Sequence, residues 1–453
     1  MAKHGLTGDA LEKALDKELP WHMIPDDERD KYREAEVKQW NEHLEFRAVR
    51  PLSLEESRQV EATVDPSRIL PSCFLYRDKN RAKRRTDPSV GCKAKARLCV
   101  GGQLDPDLGV VDMAVDAPTT SRLALLLGLQ VALARGWKIG VGDIRCAFLN
   151  GVEAPRNLFF KQPKRGLPGL EPGQLVSIEK GIFGLSTSPK LWWLKFSGDI
   201  IQMVIHHADR EYVFEQNEVD PCAFRLVDGQ SREVVGLMFT HVDDVMLMTR
   251  PELTEVVRKG LVSLFPIEEW EEDKFEYVGC EYAVSAEEVV ITLSSYVRGR
   301  VEKVKIPEGL AEDMLVPEES LASHRSTVGG LSWLAKQTRP DLQFSVSQAQ
   351  EVQKKPTVKD LKETNWVVEQ AKRHHEEGIR IRKIPEENLM ILGYHDAAWA
   401  NVDLDGVQDP EAPLWDGSFK LAVGLAARQP DPDCRPGVSW ERGAQHEPDR
   451  MEE

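Results

Sequence analysis

The chain has no cysteines spaced as CxxC. Its seven cysteines (Cys73, Cys92, Cys99, Cys146, Cys222, Cys280 and Cys434) lie scattered along 453 residues. An odd, unpatterned set encodes neither a disulfide framework nor a zinc site, so reduced thiols that mostly serve packing are expected. No run approaches the ~18 uninterrupted apolar residues of a membrane span, which argues against a membrane-spanning helix. The opening stretch MAKHGLTGDALEKALDKELPW lacks the apolar core and cleavage site of a secretory signal. An intracellular protein is expected. No internal repeat is evident.

The chain has 41% hydrophobic and 30% charged residues, an ordinary globular balance. Its length allows two or three domains. A net charge of −16 argues against a protein that simply coats nucleic acid, because phosphates demand Lys and Arg where the backbone lies. The charge is segregated, however. RDKNRAKRRTDPSVGCKAKAR (77–97) carries nine Lys and Arg against two Asp, whereas EEWEEDKFE (268–276) is acidic. A solvated basic loop is the plainer alternative for the first of these.

Residues 1–50 read as polar and helical, with no visible core. RILPSCFLY and AKARLCVGG read as a hairpin with a positively charged tip. TTSRLALLLGLQVALARGW is apolar on too many sides for a surface helix; a buried helix opened by Thr and closed near Gly136 is expected. KIGVGDIRCAFLNG then runs as a strand that carries Asp143 to its C-terminal end. QPKRGLPGLEPGQ is a loop, and LVSIEKGIFGLSTSPKLWWLKFSGDIIQMV gives strand, turn and long helix. CAFRL and REVVGLMFTHVDDVMLMTR predict antiparallel strands, and PELTEVVRKGLVSLF an amphipathic helix. Helices follow between 324 and 375, then a strand in LMILGYHDAAWA. The last fifty residues show little periodicity and are expected to be a frayed or truncated domain.

Within THVDDVMLM, Asp243 and Asp244 interrupt an apolar run. Turn preference alone explains many such pairs. Side chains alternate along a strand, so the two carboxylates can share a site only if a tight turn intervenes. Like charges held together need a cation or a proton. Paired Mg²⁺ ions ~4 Å apart supply the cation in phosphoryl transfer, a chemistry that wants a further carboxylate on a neighbouring strand. Asp143 is the natural candidate.

The ordered set KARLCVGG, DAPTTSRLALLLGL, VGDIRCAFLNG, KGIFGLSTSPKLWW, HVDDVMLM, FEYVGCEY, HRSTVGGLSWLAKQTRPDLQFSVS and GYHDAAWA resembles the reverse transcriptase of Ty1/copia-type retrotransposon polyproteins, across about residues 30–400. The resemblance implies an α+β right-hand polymerase. Its parts would be a polar extension (1–30), fingers and palm (31–310), a helical thumb or connection (311–378) and a truncated RNase H-like remnant (385–453). It implies an RNA-directed DNA polymerase that works on an RNA or DNA template with primer and dNTPs, using two Mg²⁺, with Mn²⁺ as substitute. Asp143, Asp243 and Asp244 match the catalytic aspartates and metal ligands, with the Ile144 backbone as a further ligand. Phe148 matches the residue that crowds a ribonucleotide 2′-hydroxyl; a core aromatic is its plainer reading. Lys95 and Arg97 fall where the family holds the triphosphate. Gly184, Ser188 and Pro189 match a template-and-nucleotide motif, and His241 stands at the primer contact.

Three features depart from the family pattern. His241 replaces Tyr, Ser186 and Thr187 replace Lys-Gln, and Arg145 and Cys146 vary the first motif. Asp396 matches the first RNase H carboxylate, but its later acidic partners are not visible; an orphaned remnant and a polyprotein fragment are expected. Gag zinc-knuckle, protease and integrase motifs are likewise not visible. The alternatives are an inactive retroelement remnant acting at most as a nucleic-acid-binding module, and, more weakly, an unrelated two-metal nuclease.

Overall fold

In the computed structural model, which describes residues 8–110, 115–397 and 419–427, the apolar run around the two aspartates lies deep in a seven-stranded sheet. The strand order is Ile267–Glu271, Lys138–Ile144, Asp244–Thr249, Val234–His241, Ala223–Asp228, Arg210–Gln216, Val204–His207, each pair antiparallel. Both faces of the sheet are covered. Met246 and Met248 join Leu125, Leu129 and Leu133 of helix Arg122–Ala134 on one side. Val245 and Leu247 join Trp192 and Phe196 of helix Ser188–Gln202, and Leu253 and Val257 of helix Pro251–Leu264, on the other. Burial on both faces explains why VMLM reads as a continuous apolar run rather than an alternating one.

Helix Arg122–Ala134 is capped by Ser121, whose side chain accepts from the Ala124 N–H. The Thr expected to open it lies outside the cap. A serine hydroxyl at the N-cap satisfies one of the helix's free N–H groups, and here Ser121, next to the first helical residue, is the one in register.

A second, four-stranded sheet (Val49–Pro51, Leu175–Lys180, Glu153–Lys161, Ile69–Leu70) stands next to the two-stranded hairpin Ser72–Asp78/Ala94–Val100 in chain and core. A third sheet (Lys274–Tyr277, Cys280–Val284, Glu288–Thr292, Ile379–Arg382) shares its core with helices Glu318–Gln337, Gln343–Glu351 and Val358–Arg373.

The N-terminal fifty residues do contain a core, contrary to expectation. Leu15, Leu19, Ile24 and Tyr32 are buried against Tyr76 and Ala96 of the hairpin, and Trp40 is buried with the second sheet. Their apolar positions are spread over helix Gly8–Lys17, the short turns after it and the start of helix Arg29–Glu45, so no single period reveals them. The hairpin tip forms a short helix, Arg81–Thr86, and its charge is largely paired. Arg84 binds Asp78 at 2.7 Å and Glu28 at 2.5 Å, and Arg81 and Arg85 bind Glu12.

Residues 1–382 form one compact unit and 383–453 another. In the second, strand Leu389–Ala397 pairs antiparallel with Phe419–Ala427, and Asp396 stands opposite Lys420. The rest of the RNase H-like stretch, most of the region expected to be frayed, and Cys434 lie outside the described residues. Among the described residues no helix is long and apolar enough to cross a membrane.

Candidate active site

Three carboxylates meet at one end of the seven-stranded sheet. Asp143 is the penultimate residue of its strand, and Asp244 opens the neighbouring one directly opposite, so their side chains leave the same face. Asp243 reaches the same point from the turn. His241 pairs with Asp244, which leaves only Val242 and Asp243 to connect the two strands. Val242 takes φ 59°, a conformation that a β-branched residue adopts only when its surroundings enforce it. Two hydrogen bonds do so. The Val242 carbonyl accepts from the Trp192 indole at 2.6 Å, and the Asp243 carbonyl accepts from the Ile144 N–H at 2.8 Å. As a result, one oxygen from each of Asp143, Asp243 and Asp244 lies within 4.8 Å of the others.

Such crowding has an electrostatic consequence. Burial, reinforced by Asp243, Asp143 and Glu271, pushes the Asp244 carboxyl up to about 7. Asp143 is accessible to solvent, yet the protein packed around its carboxyl partly desolvates it. That desolvation and the charge of Asp243 raise it, while Lys95 and Lys79 pull it back. Burial also lowers the Lys95 ammonium, with help from Arg97 and Lys79, against the opposing pull of Asp143 and Asp243. The three acids concentrate negative charge at one end of the sheet. An all-oxygen donor set of this charge fits a hard divalent ion such as Mg²⁺ or Mn²⁺.

Above Asp143 and Asp243 opens a cavity of about 330 Å³. Lys95 and Arg97, two apart on strand Ala94–Val100, line it together with Lys79 and Lys93. Phe148 lies on its wall, edge to face with Phe183 at 5.6 Å, and Arg97 sits over the Phe183 ring at 5.3 Å. A second cavity, about 770 Å³, touches Asp143 and Asp244 and is rimmed by Glu268, Glu269, Glu271, Glu276 and Glu281.

Of the other expected site residues in this unit, Ile144 also lines the cavity of about 330 Å³, whereas Gly184, Ser188, Pro189 and His241 do not. Gly184 holds φ +100°, and a Cβ there would fall 2.1 Å from the Val100 carbonyl oxygen. The glycine thus lets its loop press against the hairpin. Ser188 is buried and donates to the Ile182 carbonyl at 2.6 Å, and Pro189 occupies the first turn of its helix. His241 is half-buried, and its Nδ1 has no hydrogen-bond partner. Ile144 is buried, with its side chain in the core below the triad. Asp396 belongs to the second unit.

Residues 67–317 match the family described as reverse transcriptase (RNA-dependent DNA polymerase). The chain belongs to that family. This copia-type reverse transcriptase chain is 23% and 24% identical, over 332 residues, to the retrovirus-related Pol polyproteins from transposons RE1 and RE2 of Arabidopsis thaliana. The matches cover 70% of the chain but 21% of each relative. Among solved structures, a foamy viral protease-reverse transcriptase in complex with double-stranded DNA is similar over 67% of this chain and 45% of that chain, at 11% identity and a TM-score of 0.40.

Sequence reasoning did not single out Lys79, Lys93 or Phe183, and it noted Arg145 only as a variation of the first motif. The two lysines sit in the basic run, but only the hairpin register shows which of its cations turn toward Asp143. Arg145 packs over Phe46 at 5.4 Å and lies against Glu45, placing a guanidinium on the lining of both cavities beside Asp143.

Proposed function

We propose that the chain is an RNA-directed DNA polymerase that extends a primer on an RNA or DNA template with dNTPs. The observation that carries this reading is the meeting of Asp143, Asp243 and Asp244 beneath a cavity lined by Lys79, Lys93, Lys95 and Arg97. Acids alone would hold a cation, and bases alone an anion. Side by side they suit a metal-bound triphosphate.

Asp143, Asp243 and Asp244 would hold two Mg²⁺, with the Ile144 backbone as an additional oxygen donor. When bound, such a pair supplies activation of the attacking hydroxyl and charge balance on the leaving oxygen. The protein contributes position and charge. Trp192 and Ile144 fix the turn that aims Asp243. Lys95 and Arg97 bind phosphate oxygens, and the Phe183 ring supports the Arg97 guanidinium. The Phe148 ring excludes the 2′-hydroxyl of a ribonucleotide. In this reading the hairpin and second sheet are fingers, the seven-stranded sheet is palm, and the helices between 318 and 373 are thumb or connection. His241 meets the primer end, and Gly184, Ser188 and Pro189 shape the loop under the template.

Primer extension on an RNA template with Mg²⁺ tests the reading. Extension that Asp243→Asn abolishes is expected. No extension, or extension indifferent to that change, would sink it; binding without incorporation would leave only a nucleic-acid-binding module.

A further inference from the structure

Asp16 is almost fully buried, at 4% exposure, although nothing in the catalytic reading uses it. Its carboxylate lies among three arginines from two distant parts of the chain. It accepts from Arg85 at 2.7 Å, and it lies 3.6 Å from Arg81 and 3.7 Å from Arg300. Arg81 and Arg85 sit on the hairpin-tip helix, whereas Arg300 ends helix Ser294–Arg300. Glu12, one turn earlier on helix Gly8–Lys17, binds Arg81 at 2.8 Å and Arg85 at 3.1 Å.

The pairing is incomplete. One Asp16 oxygen and the Arg81 Nε are buried without a hydrogen bond. Three guanidiniums face two carboxylates, and only three of their N–H groups donate to Glu12 and Asp16, so most of their donor directions remain for further acceptors. A phosphodiester carries one negative charge on two free oxygens, with two bridging oxygens beside them. Consecutive phosphodiesters could engage the arginines in turn.

We propose that Arg81, Arg85 and Arg300 form a phosphate-binding site for a nucleic-acid backbone, held in this conformation by the carboxylate of Asp16, so that helix Gly8–Lys17 is a displaceable plug. This inference rests on the polymerase reading. The same hairpin continues from Arg81 and Arg85 to Lys79 and Lys93, paired through their backbones at 3.0 Å, and on to Lys95 and Arg97 beside Asp143. A track of cations of that extent suits a chain of phosphates rather than a single anion. Leu15 and Leu19 seat the plug on Tyr76 and Ala96, and the Leu19 N–H donates to the Tyr76 carbonyl at 2.8 Å. Its apolar anchor and its charged lock are therefore separable by mutation.

The test is binding of a labelled single-stranded oligonucleotide to the full chain, followed by fluorescence anisotropy across a salt series. Asp16→Asn should bind about tenfold tighter at low salt, with a salt slope steeper by about 2 as the freed arginines reach phosphates. Glu12→Gln, on the partly exposed acid, should give a smaller gain in the same direction and guards against misfolding of the first variant. Adding Arg85→Gln and Arg300→Gln should erase both gains. Wild-type and Asp16→Asn chains that bind alike, while the wild type extends primers, would overturn the plug and leave the polymerase. No binding by either would overturn both. Tripolyphosphate that competes as well as the oligonucleotide, at equal phosphate concentration, would assign the site to free polyphosphate instead and overturn the backbone assignment.

Discussion

Asp143 and Asp244 face each other across neighbouring antiparallel strands, as a directly opposed pair on one face of the sheet. Like charges in that relation are unfavourable. Two strands that otherwise bury methionine, valine and leucine keep them at their ends, and the balance falls to whatever binds there.

Metal and pH should therefore act together on stability. The Asp244 carboxyl is raised from its ordinary value to about 7 in the folded chain. A group raised on folding binds its proton more tightly in the native state, so its contribution is fully present below the unfolded value near 4 and is lost as pH rises through about 7. Without divalent ions, the chain should melt higher near pH 5.5 than near pH 8, so far as this group governs. Mg²⁺ should reverse that order by binding the ionised triad. Asp244→Asn should remove most of both effects, as read by thermal melts with and without Mg²⁺.

Trp192→Phe keeps an aromatic ring in the core but leaves the Val242 carbonyl without its 2.6 Å donor. Losing the hydrogen bond of this part-buried carbonyl costs about 1 kcal/mol. Since Val242 is held at a positive φ, the turn should relax and move Asp243 away from its partners. Extension should show a lowered kcat with little change in the KM for dNTP. A change confined to KM would contradict this account of the turn.

Phe148→Ala opens the cavity wall where the ring now packs on Phe183. Ribonucleotide incorporation should rise by roughly 10–100-fold relative to deoxyribonucleotide. Competing the two nucleotides on one template measures the ratio directly. An unchanged ratio would return Phe148 to a packing role.

Gly184→Ala places a methyl carbon 2.1 Å from the Val100 carbonyl oxygen, at a backbone angle that L-residues avoid. The loop cannot yield without separating from the hairpin, where the Val100 N–H donates to the Phe183 carbonyl at 2.9 Å. A loss of about 2–4 kcal/mol is expected, as seen in urea unfolding. Because Phe183 supports Arg97, weaker binding of dNTP should accompany it.

Much of this protein is local and so was legible in its residues. The alternation of strand and turn around THVDD, the strand ending at Asp143 and the long helix after Pro189 follow from patterns within a few positions of each other. An ordered set of motifs supplied the family. The Val242–Asp243 turn was likewise expected, because no regular strand could aim adjacent carboxylates at one point.

Other features arise only when distant segments meet. The register that sets Asp143 against Asp244 joins positions a hundred residues apart, and a shift of one residue would turn one carboxylate to the opposite face. The N-terminal core needed the hairpin to exist before Leu15 and Leu19 had anything to bury against. Composition could show that residues 77–97 are basic; it could not show that Glu12, Asp16 and Glu28 neutralise part of that charge while Lys79, Lys93, Lys95 and Arg97 turn toward the triad. Local chemistry determined which groups this chain carries. Long-range packing decided which of them face one another, because electrostatic pairing depends on distance in space and not along the chain.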